Sequence, residues 1–180
     1  VLPVQQEDAD LAARSKRGDL PAFNAIVQRY QSQVYNLAAR ILGDRTAAED
    51  IAQETFISAY RAMGRFRGGS LRAWLLRIAT NLSYAHIRAS RRHPAQSLDQ
   101  SLLAPGFSVP SQEPSPEQIA LRGELGAAIQ GAIMSLPTDQ RATLVLVDVQ
   151  GLSYEEAAEA TGASLGTVKS RLSRGRSRVR

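Results

Sequence analysis

The chain has 180 residues and no cysteine, which removes disulfides, thiolate metal sites and cysteine nucleophiles together. Its net charge of +5 favours a polyanionic partner, while His86 and His93 stand in a basic stretch, too few for an imidazole metal cluster. No run approaches the roughly 20 apolar residues of a membrane span, and no basic-then-apolar leader opens the chain, so no membrane insertion, a cytoplasmic location and no cofactor are expected.

Apolar spacing is helical throughout, predicting an all-α fold. Residues 7–17 read as a short helix with Leu11 and Ala12 inward, stopped at Gly18. Asp19 caps a second helix with Pro21 in its first turn, where a missing N–H costs nothing. Phe23, Ile26, Val27, Tyr30, Val34, Leu37, Ala38, Ile41 and Leu42 hold its three/four spacing until Gly43. Asp44 caps a third helix whose inward stripe is Ala48, Ile51, Ala52, Thr55, Phe56 and Ala59, closed at Gly64. A glycine-rich loop leads to Ser70 as cap. From Leu71 to Arg92, Trp74, Leu75, Ile78, Leu82 and Ile87 predict a fourth helix.

Charge divides this half. Asp44, Glu49, Asp50 and Glu54 gather at the start of the third helix. No acid then occurs from Thr55 to Leu98, while Arg61, Arg65, Arg67, Arg72, Arg77, Arg88, Arg91 and Arg92 do. Such a run repels itself on a free surface, and a phosphate backbone relieves it. All are arginine, which suits bidentate contact to phosphate or base edges.

Residues 93–114 hold Pro94, Pro105, Pro110 and Pro114 among serines, an extended linker expected to be flexible. Ser115-Pro116-Glu117-Gln118 is a helix start. Ile119, Leu125, Ala128, Ile129, Ala132, Ile133 and Leu136 carry that helix to Pro137. Thr138 is read as the cap of another, with Leu144, Leu146, Val147 and Val149 apolar, closed by Gly151.

In Leu152–Arg176, Ser153 and Glu156 form a capping box, and Ala157, Ala158 and Ala160 allow a close helix crossing. Gly162 breaks that helix, and Ser164 caps the next after a tight turn. On a wheel of about 100° per residue, Val168 and Leu172 point inward. Gly166, Ser170, Ser173, Arg174 and Ser177 stand opposite, with Thr167, Lys169, Arg171 and Arg176 on the flanks. No acid occurs from Ala160 to Arg180. Two helices, a glycine turn and a basic outer face make a helix-turn-helix with its recognition helix. Arg174 is placed for base contact, and Arg171 and Arg176 nearer the phosphate walls.

The chain resembles an extracytoplasmic-function, group IV, bacterial sigma factor. The likeness rests on Ala22-Phe23, Arg29-Tyr30, AEDIAQETFISAYRA (48–62), RFRG (65–68) and WLLRIATN (74–81), then on SLP (135–137), GLSYEEAAEATG (151–162) and GTVKSRLSRGR (166–176). It implies that the protein binds core RNA polymerase and directs it to promoters. Residues 1–92 then correspond to sigma region 2, which binds core polymerase and reads and melts the −10 element. Residues 93–114 are the linker, and residues 115–180 correspond to region 4, which reads the −35 element.

The resemblance also assigns residues. Asp50, Gln53 and Glu54 match positions that dock on a coiled coil of the largest polymerase subunit, with Ile57 and Arg61 extending that face. Region 4 is expected to meet the polymerase flap. The loop from Gly64 to Ser70 matches the family's pocket for a flipped −10 base, with Phe66 and Asn81 at matching positions and Arg65, Arg67, Arg88, Arg91 and Arg92 as further −10 contacts. Phe66 fits two roles, stacking a base or anchoring the loop. For the −35 element the set is Thr167, Lys169, Ser170, Arg171, Ser173, Arg174 and Arg176. An anti-sigma factor is an expected partner. Ala85 departs from the pattern, standing where an Asp is common, and Gly69 where an acidic residue is. The family's last helix usually continues beyond the position of Arg180, and Val1 in place of Met reads as the mark of a trimmed product.

Two other classes fit less well. A stand-alone helix-turn-helix regulator predicts a ligand or phosphoacceptor domain upstream, and the first half has no alternating strands. A DNA-processing enzyme needs clustered carboxylates for metals or an activated nucleophile. Asp50 and Glu54 share a face without a third ligand, so the chain is read as a non-enzyme.

Overall fold

The computed structural model describes residues 3–92 and 116–179. The linker and the Ser115 cap read from the sequence lie outside the described residues. Two groups of helices make up the rest. The first holds α1 (Pro3–Lys16), α2 (Leu20–Leu42), α3 (Arg45–Ala62), a 3-10 turn (Met63–Arg65) and α4 (Leu71–Arg92). The second holds α5 (Pro116–Met134), α6 (Thr138–Leu144) continuing into a π-helical stretch (Val145–Val149), α7 (Tyr154–Thr161) and α8 (Leu165–Val179).

The breaks follow local chemistry. Asp19 accepts from the Ala22 N–H and Asp44 from the Ala47 N–H, each at 3.0 Å, so both helices start where a short acceptor meets free amides. Gly43 turns left-handed at φ 73° to end α2. Gly64 makes no such turn: α3 tightens through Met63–Arg65, and the left-handed glycines are Gly68 and Gly69 at φ 93° and 88°. Thr138 is not a cap either. Pro137 takes that position without a side-chain bond, and Thr138 is the first helical residue.

The stripes on α2 and α3 bury Ile26, Val34, Leu37, Ile41, Phe56 and Ala59 in a shared core. Tyr30 and Arg29 tie α1 to it: the Tyr30 hydroxyl donates to Asp8, and Arg29 donates to Asp8 and to Glu7 at 2.7 Å each. Neither carboxylate role was read from the sequence.

Helix α4 is covered on two sides. One side packs on α2 and α3, the other on α7 of the second group. Leu76, Thr80 and Ser83, spaced by four and three, are all buried. Thr80 and Ser83 satisfy their hydroxyls on the carbonyls of Leu76 and Ala79, at 2.7 and 2.8 Å, so these small polar residues are buried without an unpaired donor. The buried cluster consequently runs unbroken from Phe23 to Leu172.

Polar struts reinforce the junction. Arg72 donates to Gln33 Oε1 at 2.6 Å and to the Gln150 carbonyl. Arg141 donates to the carbonyls of Ile41 and Met134 at 2.7 Å and of Leu136 at 3.0 Å. These are carbonyls near helix ends, where the backbone dipole favours a cation. Burial, and then Arg91, holds the Arg141 pKa below its ordinary value. Among the described residues no ion pair joins the two groups.

Candidate nucleic-acid and partner interfaces

Helix α3 buries Ile51, Thr55, Phe56 and Ala59. Asp50, Gln53, Glu54, Ile57 and Arg61 all lie on its solvent side, in steps of three and four that place them in one row. Ile57 is 36% exposed, and Tyr60 beside it 46%, edge-on to Phe23 at 5.0 Å between ring centroids. Neither Asp50 nor Glu54 enters an ion pair among the described residues; Glu54 only accepts from Ser58 at 3.3 Å. The row is an uncommitted surface with acids at one end, an apolar middle and a cation at the other end.

The loop after α3 keeps Arg65, Arg67, Gly68 and Gly69 exposed and turns Phe66 inward, 6% exposed. The Phe66 ring sits 5.1 Å from Trp74, centroid to centroid, and carries Lys16 Nζ at 5.4 Å. This packing is the arrangement that a loop anchor requires. From this loop α4 projects a second row, Arg77, Asn81, Ala85, Arg88 and Arg92, all exposed. Arg77, four residues before Asn81 on the same exposed side, was not among the residues assigned from the sequence. Ala85 leaves the row without a negative charge. Arg91 lies to one side and reaches Thr138 Oγ1 at 3.4 Å.

In the second group, the Ser153 hydroxyl accepts from the Glu156 N–H at 3.1 Å while Glu156 accepts from the Ser153 N–H at 2.9 Å, closing the capping box. Gly162 at φ 64° ends α7, and Ser164 caps α8 by accepting from the Thr167 N–H at 3.2 Å. Val168, Leu172 and Gly175 are buried, so the recognition helix is seated as its periodicity predicts. Lys169, Ser170, Ser173 and Arg174 are exposed. Among the described residues Arg174 bonds only within its own helix, to the Ser170 carbonyl and hydroxyl at 3.2 Å. Thr167 is half-buried against the Ser164 hydroxyl at 2.9 Å.

Two flanking arginines stand differently. Arg171 pairs with Asp139 at 2.8 Å, and Arg176 grips both oxygens of Asp148 at 2.9 and 2.6 Å. Asp148, then Tyr154, raises the Arg176 pKa still further above its ordinary value. Both cations are engaged inside the domain, which the sequence did not disclose because Asp139 and Asp148 lie on another helix.

Comparison with known proteins accounts for both groups. Residues 26–93 match Sigma-70 region 2, and residues 126–179 match Sigma-70 region 4. The chain is 39% identical over 180 residues to the RNA polymerase sigma-H factor of Pseudomonas aeruginosa, covering 98% of this chain and 93% of that protein. It is 39% identical over 168 residues to the ECF RNA polymerase sigma factor SigE of Mycolicibacterium smegmatis, covering 93% of this chain but 64% of the relative's length. In structure it is similar to the sigma factor RpoE of Bartonella quintana, solved with the anti-sigma factor NepR, at a TM-score of 0.67 and 28% identity over 87% of this chain and 93% of that one. With both regions matched in order and relatives of this identity spanning nearly its whole length, the chain belongs to the extracytoplasmic-function RNA polymerase sigma factors.

Proposed function

We propose that this sigma factor binds core RNA polymerase through α3 and distributes promoter reading between its two helical groups. The observation that carries this reading is the outward row of α3. Its carboxylates are exposed and enter no ion pair among the described residues, and its middle is apolar. Asp50, Gln53, Glu54, Ile57 and Arg61 supply the contact to the largest-subunit coiled coil, where acids complement a basic surface and set orientation.

The −10 element is taken by residues 64–92. Arg65 and Arg67 of the loop and the α4 row, with Asn81, Arg88 and Arg92, face a phosphate backbone without competing acids. Arg91 lies at the margin of that surface. The −35 element is read by α8, whose uncommitted face of Lys169, Ser170, Ser173 and Arg174 enters the major groove. Residues 1–92 and 115–180 thus serve as two reading units joined through 93–114. The chain is a factor and not an enzyme, since the initiation chemistry belongs to the polymerase. Among the described residues no helix is long and apolar enough to cross a membrane, and working with core polymerase places the chain in the cytoplasm. Because the Bartonella quintana relative is held by an anti-sigma factor, an anti-sigma factor is the proposed regulator here too, covering the same exposed faces.

The test replaces Asp50 and Glu54 together with Lys. The double variant is expected to lose co-purification with core polymerase while its thermal unfolding stays within about 0.5 kcal/mol of wild type, as for exposed positions generally. Undiminished co-purification overturns the docking assignment.

A further inference from the structure

We propose that Arg171 and Arg176 are positioning residues of the recognition helix, bracing α8 against α6 and the π-helical stretch, and are not contacts to the DNA phosphates. The inference rests on the reading that α8 enters duplex DNA, and it assigns labour among the cations of that helix.

The geometry is two-sided. The buried row of α8 is Val168, Leu172 and Gly175. At about 100° per residue, Arg171 and Arg176 fall about 70° to either side of that row. Both belong to the half of the helix that faces the domain, whereas Ser170, Ser173 and Arg174 lie in the opposite half. On the facing rod, Asp139 stands in the first turn of α6 and Asp148 in the π-helical stretch. Arg171 meets the first and Arg176 the second. Two anchors on opposite flanks, at different heights, fix both the rotation of α8 about its axis and its tilt. A single pair fixes neither.

The π-helical stretch has a part in this. The Gln150 N–H bonds the Val145 carbonyl at 2.8 Å, one residue further than an α-helical bond reaches. That bond closes a widened last turn, and Asp148 lies inside it, where Arg176 reaches it. The contact it makes is bidentate, using Nε and one Nη of Arg176. Lysine has no planar fork and cannot reproduce it.

The test uses the full chain and separates a brace from a phosphate contact. Arg176→Lys, Arg176→Gln, Asp148→Asn and the exchange Arg176→Asp with Asp148→Arg are titrated onto a promoter duplex at several salt concentrations, with hydrogen exchange of α8 monitored on the same proteins. A brace predicts that the Lys, Gln and Asn variants each lose affinity by about 1.5- to 5-fold, with the salt slope of wild type and faster exchange in α8. Asp148→Asn then adds nothing to Arg176→Gln, and the exchanged pair recovers binding. A phosphate contact predicts that Arg176→Lys binds as wild type, that Arg176→Gln lowers the slope by about one, and that Asp148→Asn binds no worse because it frees a cation. That pattern overturns the proposal. If the wild-type chain binds no duplex, the functional reading of α8 fails separately. The exchange arm then decides the brace, and unchanged α8 protection in Asp148→Asn and Arg176→Lys overturns it.

Discussion

Two tyrosines show how one side-chain type takes opposite values in one core. The Tyr30 hydroxyl donates to Asp8, itself held by Arg29, so a buried donor and a buried acceptor satisfy each other. The Tyr84 hydroxyl is buried and has no hydrogen-bond partner among the described residues. Removing a hydroxyl that is paired to a charged group costs about 1.5–3 kcal/mol, whereas removing an unpaired one is near neutral or stabilising. Tyr30→Phe is therefore expected to lower the free energy of urea unfolding at pH 7, and Tyr84→Phe to leave it unchanged or raise it. Alkaline pH separates them further. Burial and then Asp139 push the Tyr84 pKa up to about 12, and burial together with the Asp8 bond raises that of Tyr30. The folded protein thus holds these protons more tightly than the unfolded chain, whose tyrosines titrate near 10. Stability is full below pH about 10 and falls as pH rises through about 12. Tyr84→Phe should flatten that fall, and a decline as steep as wild type would show that Tyr84 does not contribute to it.

Helix starts divide into those that a side chain closes and those that the tertiary fold imposes. Ser153 belongs to the first kind, with both bonds of its capping box formed. Ser153→Ala is expected to cost about 1 kcal/mol, read as a lower midpoint of thermal unfolding, with Ser153→Thr close to wild type. The start of α6 belongs to the second kind. Pro137 precedes it without a side-chain bond, and the fan of Arg141 bonds to three carbonyls holds it in place. Helix α5 shows the same contrast along its length. Ile133 is buried, while Leu125 and Ile129 are 60% and 43% exposed. An apolar spacing records that a face can be covered and not that it is.

At the level of the molecule, the contact between the two groups is apolar in the middle and carried by neutral acceptors at its edges. Arg141→Met leaves the Ile41, Met134 and Leu136 carbonyls without their shared donor. It is expected to cost about 1–3 kcal/mol in urea unfolding. Because the lost partners are carbonyls and not carboxylates, the cost should change little between low and high salt. A cost that disappears in high salt would mean that the charge was balanced elsewhere. Gly43 reports on the same junction: a Cβ there would lie 2.6 Å from Met134 Cε, at a left-handed φ of 73°. Gly43→Ala therefore combines backbone strain with a clash between the groups, and Met134→Ala relieves only the second part.

The helix starts at Asp19, Asp44, Ser153 and Ser164, the helix-turn-helix, the seating of α8 and the outward row of α3 were legible in the amino-acid sequence, whereas the end of α3 and the start of α6 were not. Each legible feature depends on interactions a few residues long: a hydroxyl or carboxylate capping free amides, a glycine at positive φ, or a repeat of 3.6 residues. The tertiary structure decided matters at longer separations. Arg171 and Arg176 look like any other cation of α8 until Asp139 and Asp148 arrive 32 and 28 residues away. Phe66 fits a base platform or an anchor until Trp74 and Lys16 enclose it. The contact of α4 with α7 was illegible because the apolar stripe of α4 marks only one buried side, whereas Thr80 and Ser83 are buried with their hydroxyls bonded back to their own helix. Local steric and hydrogen-bonding preferences are written in the residues themselves. Which charges find partners, and which faces are covered, depends on how distant helices meet.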